Sequence, residues 1–316
     1  MPLSIRPTLP SDRPALLELF EKAFKQPADP DEWAWKYDRN PRPSISVVAV
    51  DGERALGFFG ALGTRYRGAE GDLPGMSAVD VMTHSDWRRL GHRALLTELG
   101  LARRRLNAER GVPFVFGFPH DRSRQVLERL LGCRTIEPAG ELAAPLLSLV
   151  RPGRRRLVRG EPFGRPHAPL AEALHARSGW RTDRSAEVLN WRFSRPKVAY
   201  ETFQLLDWRG RSKGYAVVRV VLDRALLVDL QVAGEEGGVL PELILGVASA
   251  LDASTVRRVE VRLPQASRLH ARLRDELGFE PFPSDTNLVV EPFDPKFDLD
   301  RAARAFDYRY VDHDVF

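Results

Sequence analysis

Cysteine is almost absent from this chain of 316 residues, with Cys133 as its single example. One thiol closes no intrachain disulfide and offers no thiol cluster to a metal. Long apolar runs are lacking too. No stretch approaches the ~20 residues that a membrane-crossing helix needs. The opening Met1-Pro-Leu-Ser-Ile-Arg-Pro turns polar before a signal-peptide core can form. These absences lead to the expectation of a cytoplasmic protein without membrane association. The sequence also shows no ordered Ser/His/Asp set and no metal-ligand spacing, so neither triad chemistry nor a bound metal is expected.

What is there is an ordinary globular composition, 43% hydrophobic and 29% charged. At roughly 100–200 residues per domain, the length suits two domains. The net charge is +5, with a local cluster at Arg151, Arg154, Arg155, Arg156 and Arg159. A basic surface suits a phosphorylated cofactor, nucleic acid or anionic lipid, or it is simply a solvated face.

Along the chain, strands alternate with helices. Leu3 to Arg6 reads as a strand, and Ser11 and Asp12 open a helix with Leu16, Leu17, Leu19, Phe20 and Phe24 on its apolar face. A short helix follows at 31–38. A strand at 46–50 leads through Asp51-Gly52, a hairpin signal, to strands at 55–66 and 73–83. Then come a helix at 93–110, a buried strand Phe114-Val-Phe-Gly, a helix at 123–131 closed by Gly132, and a strand from Arg134. The Pro-, Gly- and Arg-rich stretch 151–168 reads as a linker between a domain at 1–150 and one at 169–316. The second half repeats the order. Helices fit 169–177 and 184–192, strands 200–207, 214–222 and 225–232, then helix 240–251, strand 257–263 and helix 266–277.

Three matches in order support an internal repeat. Trp35-Lys36-Tyr37 corresponds to Trp191-Arg192-Phe193, Gly57 to Gly214, and Leu131-Gly132-Cys133 to Leu277-Gly278-Phe279. The spacing drops from 156 residues at the first match to 146 at the last, so the second copy is shorter in its middle.

The segment that shrinks is the informative one. Asp80-Val-Met-Thr-His-Ser-Asp-Trp-Arg-Arg-Leu-Gly-His-Arg-Ala runs from a strand through a tight turn into a helix. Free amides and the positive dipole end of a helix bind anions, and a glycine lets a pyrophosphate approach the backbone. The segment resembles motif A of the GCN5-related N-acetyltransferase (GNAT) superfamily, Arg/Gln-x-x-Gly-x-Gly/Ala, with Arg88-Arg89-Leu90-Gly91-His92-Arg93 in those places. Arg93 departs from the family's Gly or Ala. The resemblance covers residues 3–149 well and 170–290 loosely. It implies an α/β (α+β) protein of two fused GNAT-like domains, each a mixed, mostly antiparallel twisted sheet flanked by helices. It also implies acetyl-CoA or another acyl-CoA as co-substrate. Cofactor contacts would come from Ala78, Val79, Val81 and Met82 on strand four, and from Arg88, Arg89, Leu90, Gly91, His92, Arg93 and Ala94 at the turn. The second copy has Ala233-Gly-Glu-Glu-Gly-Gly-Val there. Glu235 and Glu236 would repel a pyrophosphate, which marks that copy as degenerate.

The tyrosine many GNATs place four residues before the closing glycine is Glu128 here, a candidate acid or a solvated helix residue. Asp80 is the preferred base candidate, since a charge inside an apolar strand is costly unless paired or used. The alternative is an ion pair with a nearby arginine. His120, after strand five, is the third catalytic candidate or else a loop residue. Trp33, Trp35 and Tyr37 form an aromatic wall for an acceptor or pack in the core. The aromatic tail Tyr308 to Phe316 could bury itself and bring Tyr310, Asp312 or His313 to the cleft. The leading expectation is an acyl-CoA-dependent N-acyltransferase acting on a small amine or amino sugar, with a homodimer possible and no nucleic-acid partner. A non-catalytic acyl-CoA-binding protein and an aminoacyl-tRNA-dependent transferase are the alternatives.

Overall fold

A computed structural model describes residues 3–68, 71–84, 92–151, 157–177, 179–234, 237–294 and 298–313, without the side chains of 92–93 and 301–303. The chain begins with β1 (Ser4–Pro7), α1 (Arg13–Phe24) and α2 (Pro30–Trp33), which continues as a π-helical turn over Ala34–Asp38. Strands β2 (Ile45–Asp51), β3 (Arg54–Gly68) and β4 (Gly71–Thr83) follow, then α3 (His92–Glu109), β5 (Phe114–Gly117), α4 (Asp121–Leu131) and β6 (Arg134–Pro138). Next come β7 (Glu141–Pro145), α5 (Leu146–Leu149), β8 (Leu157–Arg159), α6 (Ala168–His175), β9 (Arg181–Thr182) and α7 (Ala186–Arg192). The chain continues through β10 (Glu201–Leu206), β11 (Ser212–Val221), β12 (Arg224–Val232), α8 (Val239–Ala250), β13 (Arg258–Arg262), α9 (Arg268–Leu277), β14 (Glu280–Pro281), β15 (Asn287–Pro292) and α10 (Leu299–Ala305).

Two compact units result, and neither is a contiguous piece of chain. The first comprises Met1–Tyr66, Asp72–Ile136 and Thr286–Asp300, and the second Arg67–Gly71, Glu137–Asp285 and Arg301–Phe316. Residues 137–150 and 286–300 thus lie in the opposite unit from the one a cut at 151–168 assigns. The supposed linker contributes β8, which pairs with β10.

The sheets show the cause. The first runs β1-β2-β3-β4-β5-β15-β6, and the second β14-β7-β13-β12-β11-β10-β8. Each unit fills the place between its fifth and sixth strands with a strand from the other half of the chain. β15 pairs with β5 over Val289↔Gly117 to Pro292↔Phe114, and β7 pairs with β13 over Glu141↔Arg262 to Pro145↔Arg258. Glu291 of β15 pairs with Arg103 and Arg104 of α3, and Arg103 is fully buried beneath the Phe59 ring.

The repeat has a physical basis at its glycines. A Cβ on Gly57 would lie 2.8 Å from Leu99 Cδ1 of α3, and one on Gly214 would lie 3.4 Å from Leu243 Cδ2 of α8. Bare Gly57 lets α3 settle on its sheet, whereas at Gly214 an added Cβ would first meet β12, at 3.0 Å from the Gln231 carbonyl oxygen and 3.1 Å from Val232 Cγ1. Gly132 and Gly278 end α4 and α9 in the left-handed conformation, with φ of 65° and 68°. In the first unit α3 buries Leu95, Leu96 and Leu99 against Val47, Ala49, Leu56 and Phe59. In the second, α8 packs Leu240, Leu243, Ile244 and Val247 on Ala216, Val218 and Leu227.

Candidate active site

β4 and β5 of the first unit pair in parallel at Met76↔Val115 and Ser77↔Phe116. Tyr66 closes this end. Its ring stacks on Phe114 at 4.3 Å, and its hydroxyl lies 2.8 Å from the Met76 carbonyl and 3.2 Å from that of Phe114. β4 continues to Thr83 while β5 stops at Gly117. The ladder between the two strands therefore ends before Asp80.

Asp80 itself has φ +47°. A left-handed residue inside a strand breaks the pleat as a bulge does, and aspartate is among the few side chains that tolerate it. Asp29 caps α2 by accepting from the amides of Asp31 and Glu32. The π-helical turn that follows carries Lys36 and Tyr37 to Asp80. The Tyr37 hydroxyl donates to Asp80 Oδ2 at 2.6 Å, and Lys36 Nζ donates to Oδ2 at 3.0 Å and Oδ1 at 3.2 Å. The Lys36 and Asp80 side chains are each 8% exposed. A buried carboxylate without a cation would be prohibitive, and Lys36 provides the compensation. Gly60 of β3 makes the approach possible, because a Cβ there would sit 2.5 Å from the Tyr37 hydroxyl oxygen and 3.1 Å from the Val79 carbonyl oxygen. Among the described residues Asp80 is thus ion-paired with Lys36; Arg88, Arg89 and the Arg93 side chain, the arginines nearby in sequence, lie outside them.

The other candidates fall as follows. Trp35 is buried, and Trp33 is packed in the core beside Tyr37 and Phe58, at 4.6 and 5.5 Å. Of that trio only Tyr37 keeps partial exposure. His120 is exposed and N-caps α4 without a side-chain cap bond. Glu128 accepts from Arg124 Nη1 at 3.2 Å and from Thr135 Oγ1 at 2.5 Å, as a half-exposed helix residue would. Among the strand-four residues, Val79 and Met82 are buried and Ala78 and Val81 are half-buried. Arg88, Arg89, Leu90 and Gly91 lie outside the described residues, as do Glu235 and Glu236. His92 and Arg93 are the first two residues of α3, and Ala94 follows, exposed. Of the tail, Tyr308 to Asp312 are buried and form hydrogen bonds within the second unit. Asp312 accepts from Arg184 at 2.8 Å, and the Tyr310 hydroxyl lies 3.1 Å from Glu141 Oε2.

Lys36 and Gly60 were not singled out by sequence. The available signals were a lysine enclosed by aromatic residues on an early helix, and a second glycine inside an apolar strand.

A parallel pair that ends at a bulge, followed by a long helix, is a distinctive arrangement, and residues 4–131 match the family model for the acetyltransferase (GNAT) domain. The N-terminal unit is a GNAT acetyltransferase domain. No curated protein matches the chain. Among solved structures, the chain is similar to a GCN5-related N-acetyltransferase from Anabaena variabilis ATCC 29413, at 12% identity and TM-score 0.71, covering 93% of this chain and 73% of that one. It is also similar to a probable N-acyltransferase from Enterococcus faecalis V583, at 12% identity and TM-score 0.68, covering 92% and 72%. A tandem GNAT protein from the clavulanic acid biosynthesis pathway matches at 17% identity and TM-score 0.57, covering 94% and 100%. At these identities the likeness shows the fold, and that fold spans both halves of the chain. The family match itself is confined to residues 4–131.

Proposed function

We propose that the GNAT domain transfers an acyl group, in the simplest case acetyl, from an acyl-CoA to the amine of a small molecule or amino sugar by direct attack. The observation that carries this reading is the end of the β4–β5 ladder just before the Asp80 bulge. Past that point, among the described residues, no strand pairs with the β5-facing edge of β4, which could then hydrogen-bond an extended amide chain such as a pantetheine arm. The fit is favourable at Gly117, where even an added Cβ would stay 3.6 Å from Ala78 Cβ and 3.8 Å from its carbonyl oxygen. Backbone groups of Ala78, Val79, Val81 and Met82 would hold the arm. The start of α3, with Arg88, Arg89 and Gly91 before it, would hold the diphosphate. When bound, the thioester supplies the activated acyl carbon.

Asp80 and the residues bonded to it provide the polar groups beside this edge. The position of Glu128, committed to Arg124 and Thr135, favours a second reading in which the domain binds acyl-CoA without turning it over. One experiment separates the readings: calorimetric titration of the full chain with CoA, followed by thiol release from acetyl-CoA across a panel of amines. Micromolar binding with amine-dependent release supports the proposal. Binding without release for any amine selects the second reading. No CoA binding, with RNA binding that weakens steeply with salt, selects the aminoacyl-tRNA-dependent alternative.

A further inference from the structure

We infer that the C-terminal tail stands in for a ligand in the second unit. It covers the stretch of β12 that corresponds to the cofactor edge of β4, and it holds shut a second site for an extended amide chain. The inference takes its choice of edge from the acyltransferase reading above.

The correspondence is topological. β12 and β13 are parallel and are joined by α8, as β4 and β5 are parallel and joined by α3. The β12–β13 ladder runs from Arg224↔Arg258 to Leu227↔Val261 and ends, while β12 continues to Val232. The β11–β12 register slips between Val217 and Val218, opposite Val228, so β12 bulges just past the ladder as β4 does at Asp80.

Buried peptide groups past a ladder need partners, because an unpaired one costs about as much as a lost hydrogen bond. In the second unit the tail supplies them. Arg309 Nε donates to the carbonyl of buried Leu230 at 3.0 Å. The guanidinium of Arg262, the last residue of β13, lies over the Tyr310 ring at 4.6 Å. Tyr310 and Val311 pack on Leu226 and Val228, and Phe193, the counterpart of Tyr37, borders the same cluster. The tail therefore reaches from β12 to the end of β13. Its shape is fixed within the unit. The Arg309 amide donates to Asp312 Oδ2 at 2.8 Å, Arg184 holds Asp312, and the Tyr310 hydroxyl lies 3.1 Å from Glu141 Oε2 of β7.

Recognition by a strand edge uses backbone carbonyls and amides, so it does not depend on which side chains the strand carries. Glu235 and Glu236 would repel a diphosphate, but an uncharged amide chain does not feel that repulsion. The second copy thus keeps the edge while losing the diphosphate turn, and the tail pairs the edge in place of a ligand.

The test uses the full chain, as wild type and as Arg309→Leu, which keeps much of the side-chain bulk and removes the bond to Leu230. Hydrogen exchange is read on each alone, with CoA, and with pantetheine, the arm without its diphosphate. In wild type, neither ligand should change exchange in β12 or the tail by more than about twofold. In Arg309→Leu, β12 past Leu227 and residues 308–313 should exchange together and at least about tenfold faster, with α3 and β5 within about threefold of wild type. Excess pantetheine should then restore at least about half of the lost β12 protection without restoring that of the tail. Protection of β12 that survives loss of the tail's overturns the inference. So does a β12 that pantetheine leaves unprotected in Arg309→Leu, and so does a wild-type β12 that either ligand protects. If Arg309→Leu does not fold, Val311→Ser, which weakens only the apolar contact, is judged by the same thresholds. CoA that protects no part of the wild-type first unit defeats the acyltransferase reading instead, which is a separate outcome.

Discussion

Replacing Glu291 with leucine should loosen the first unit by about 3–5 kcal/mol, the usual cost of removing one partner from a buried ion pair. Glu291 sits on β15 at 4% side-chain exposure, facing Arg103 at 0% and Arg104 at 38%. Arg104 can turn to solvent when the carboxylate goes, so its loss matters little. Arg103 cannot. It is enclosed by α3, the Phe59 ring at 4.1 Å and the Phe293 ring at 5.6 Å, and its Nε and Nη1 find no hydrogen-bond partner among the described residues. At an effective dielectric of ~20, unit charges 4 Å apart attract by ~4 kcal/mol, which agrees with the estimate from ion-pair disruption. Hydrogen exchange read by mass spectrometry suits a chain of two units, where a single melting curve does not. Protection of α3 and β5 amides should fall by about two to four powers of ten, with β12 and α8 as internal references. The double variant Arg103→Met/Glu291→Leu should recover most of the loss, because neither charge is then stranded. A loss under about 1 kcal/mol in Glu291→Leu, or a double variant worse than either single, would refute the reasoning.

Burial and the Glu291 charge push the Cys133 thiol up to about 12. Its thiolate share at pH 8 is then about one in ten thousand, so a disulfide reagent should label it about a thousandfold more slowly than an ordinary thiol with pKa ~8.5. Labelling within minutes would contradict this. Burial also holds the His167 imidazole below its ordinary value, while Nε2 bonds the Arg184 carbonyl at 2.7 Å. A depressed folded-state value means the contribution is present above the unfolded value of ~6.5 and is lost as pH falls below it, at up to about 1.4 kcal/mol per pH unit. His167→Gln should flatten the acid side of the stability profile, and an unchanged slope would exclude the assignment. Leu222 occupies the β11–β12 turn at φ 56° and 87% exposure. Leu222→Asn should therefore stabilise the second unit by about 1 kcal/mol in hydrogen exchange, and a destabilised turn would count against the strain.

Much of the fold was legible because its signals are local. The apolar spacing of Leu95, Leu96 and Leu99, the closing Gly132 and Gly278, and the Trp35 and Trp191 repeats each reflect one helix or one cap. The strand exchange was not legible. Alternation marks Glu141–Pro145 or Asn287–Pro292 as extended at best, and nothing in either segment names the sheet it joins. Glu291 shows the same limit, since an acidic residue near the end of a chain reads as surface until its pairing with buried Arg103 is seen. At the site, sequence flagged Asp80 by the cost of a charge in an apolar strand, and that cost is real. It could not name the cation. Arginines crowd the neighbouring turn, while the lysine that answers Asp80 lies 44 positions upstream on another helix.

The two units give different answers to the same physical problem, a carboxylate buried beside the fourth strand. In the second unit Asp229 is fully buried: Tyr215 donates at 2.6 Å, Arg184 contacts it at 2.9 Å, and Arg184 is itself tied to Asp312 of the tail. Such a cluster gains rigidity from being complete, because in a low-dielectric interior each satisfied polar group strengthens its neighbours. Completeness also leaves nothing for a ligand to do. The first unit stops short of it. Asp80 sits at a left-handed bulge, compensated by one cation and one helix-borne phenol that is not sealed in. A buried charge pair held at a backbone bulge is costly to maintain for stability alone. The chain bears that cost in the unit whose residues 4–131 match the GNAT family model, while the second unit builds its carboxylate into a fully buried cluster.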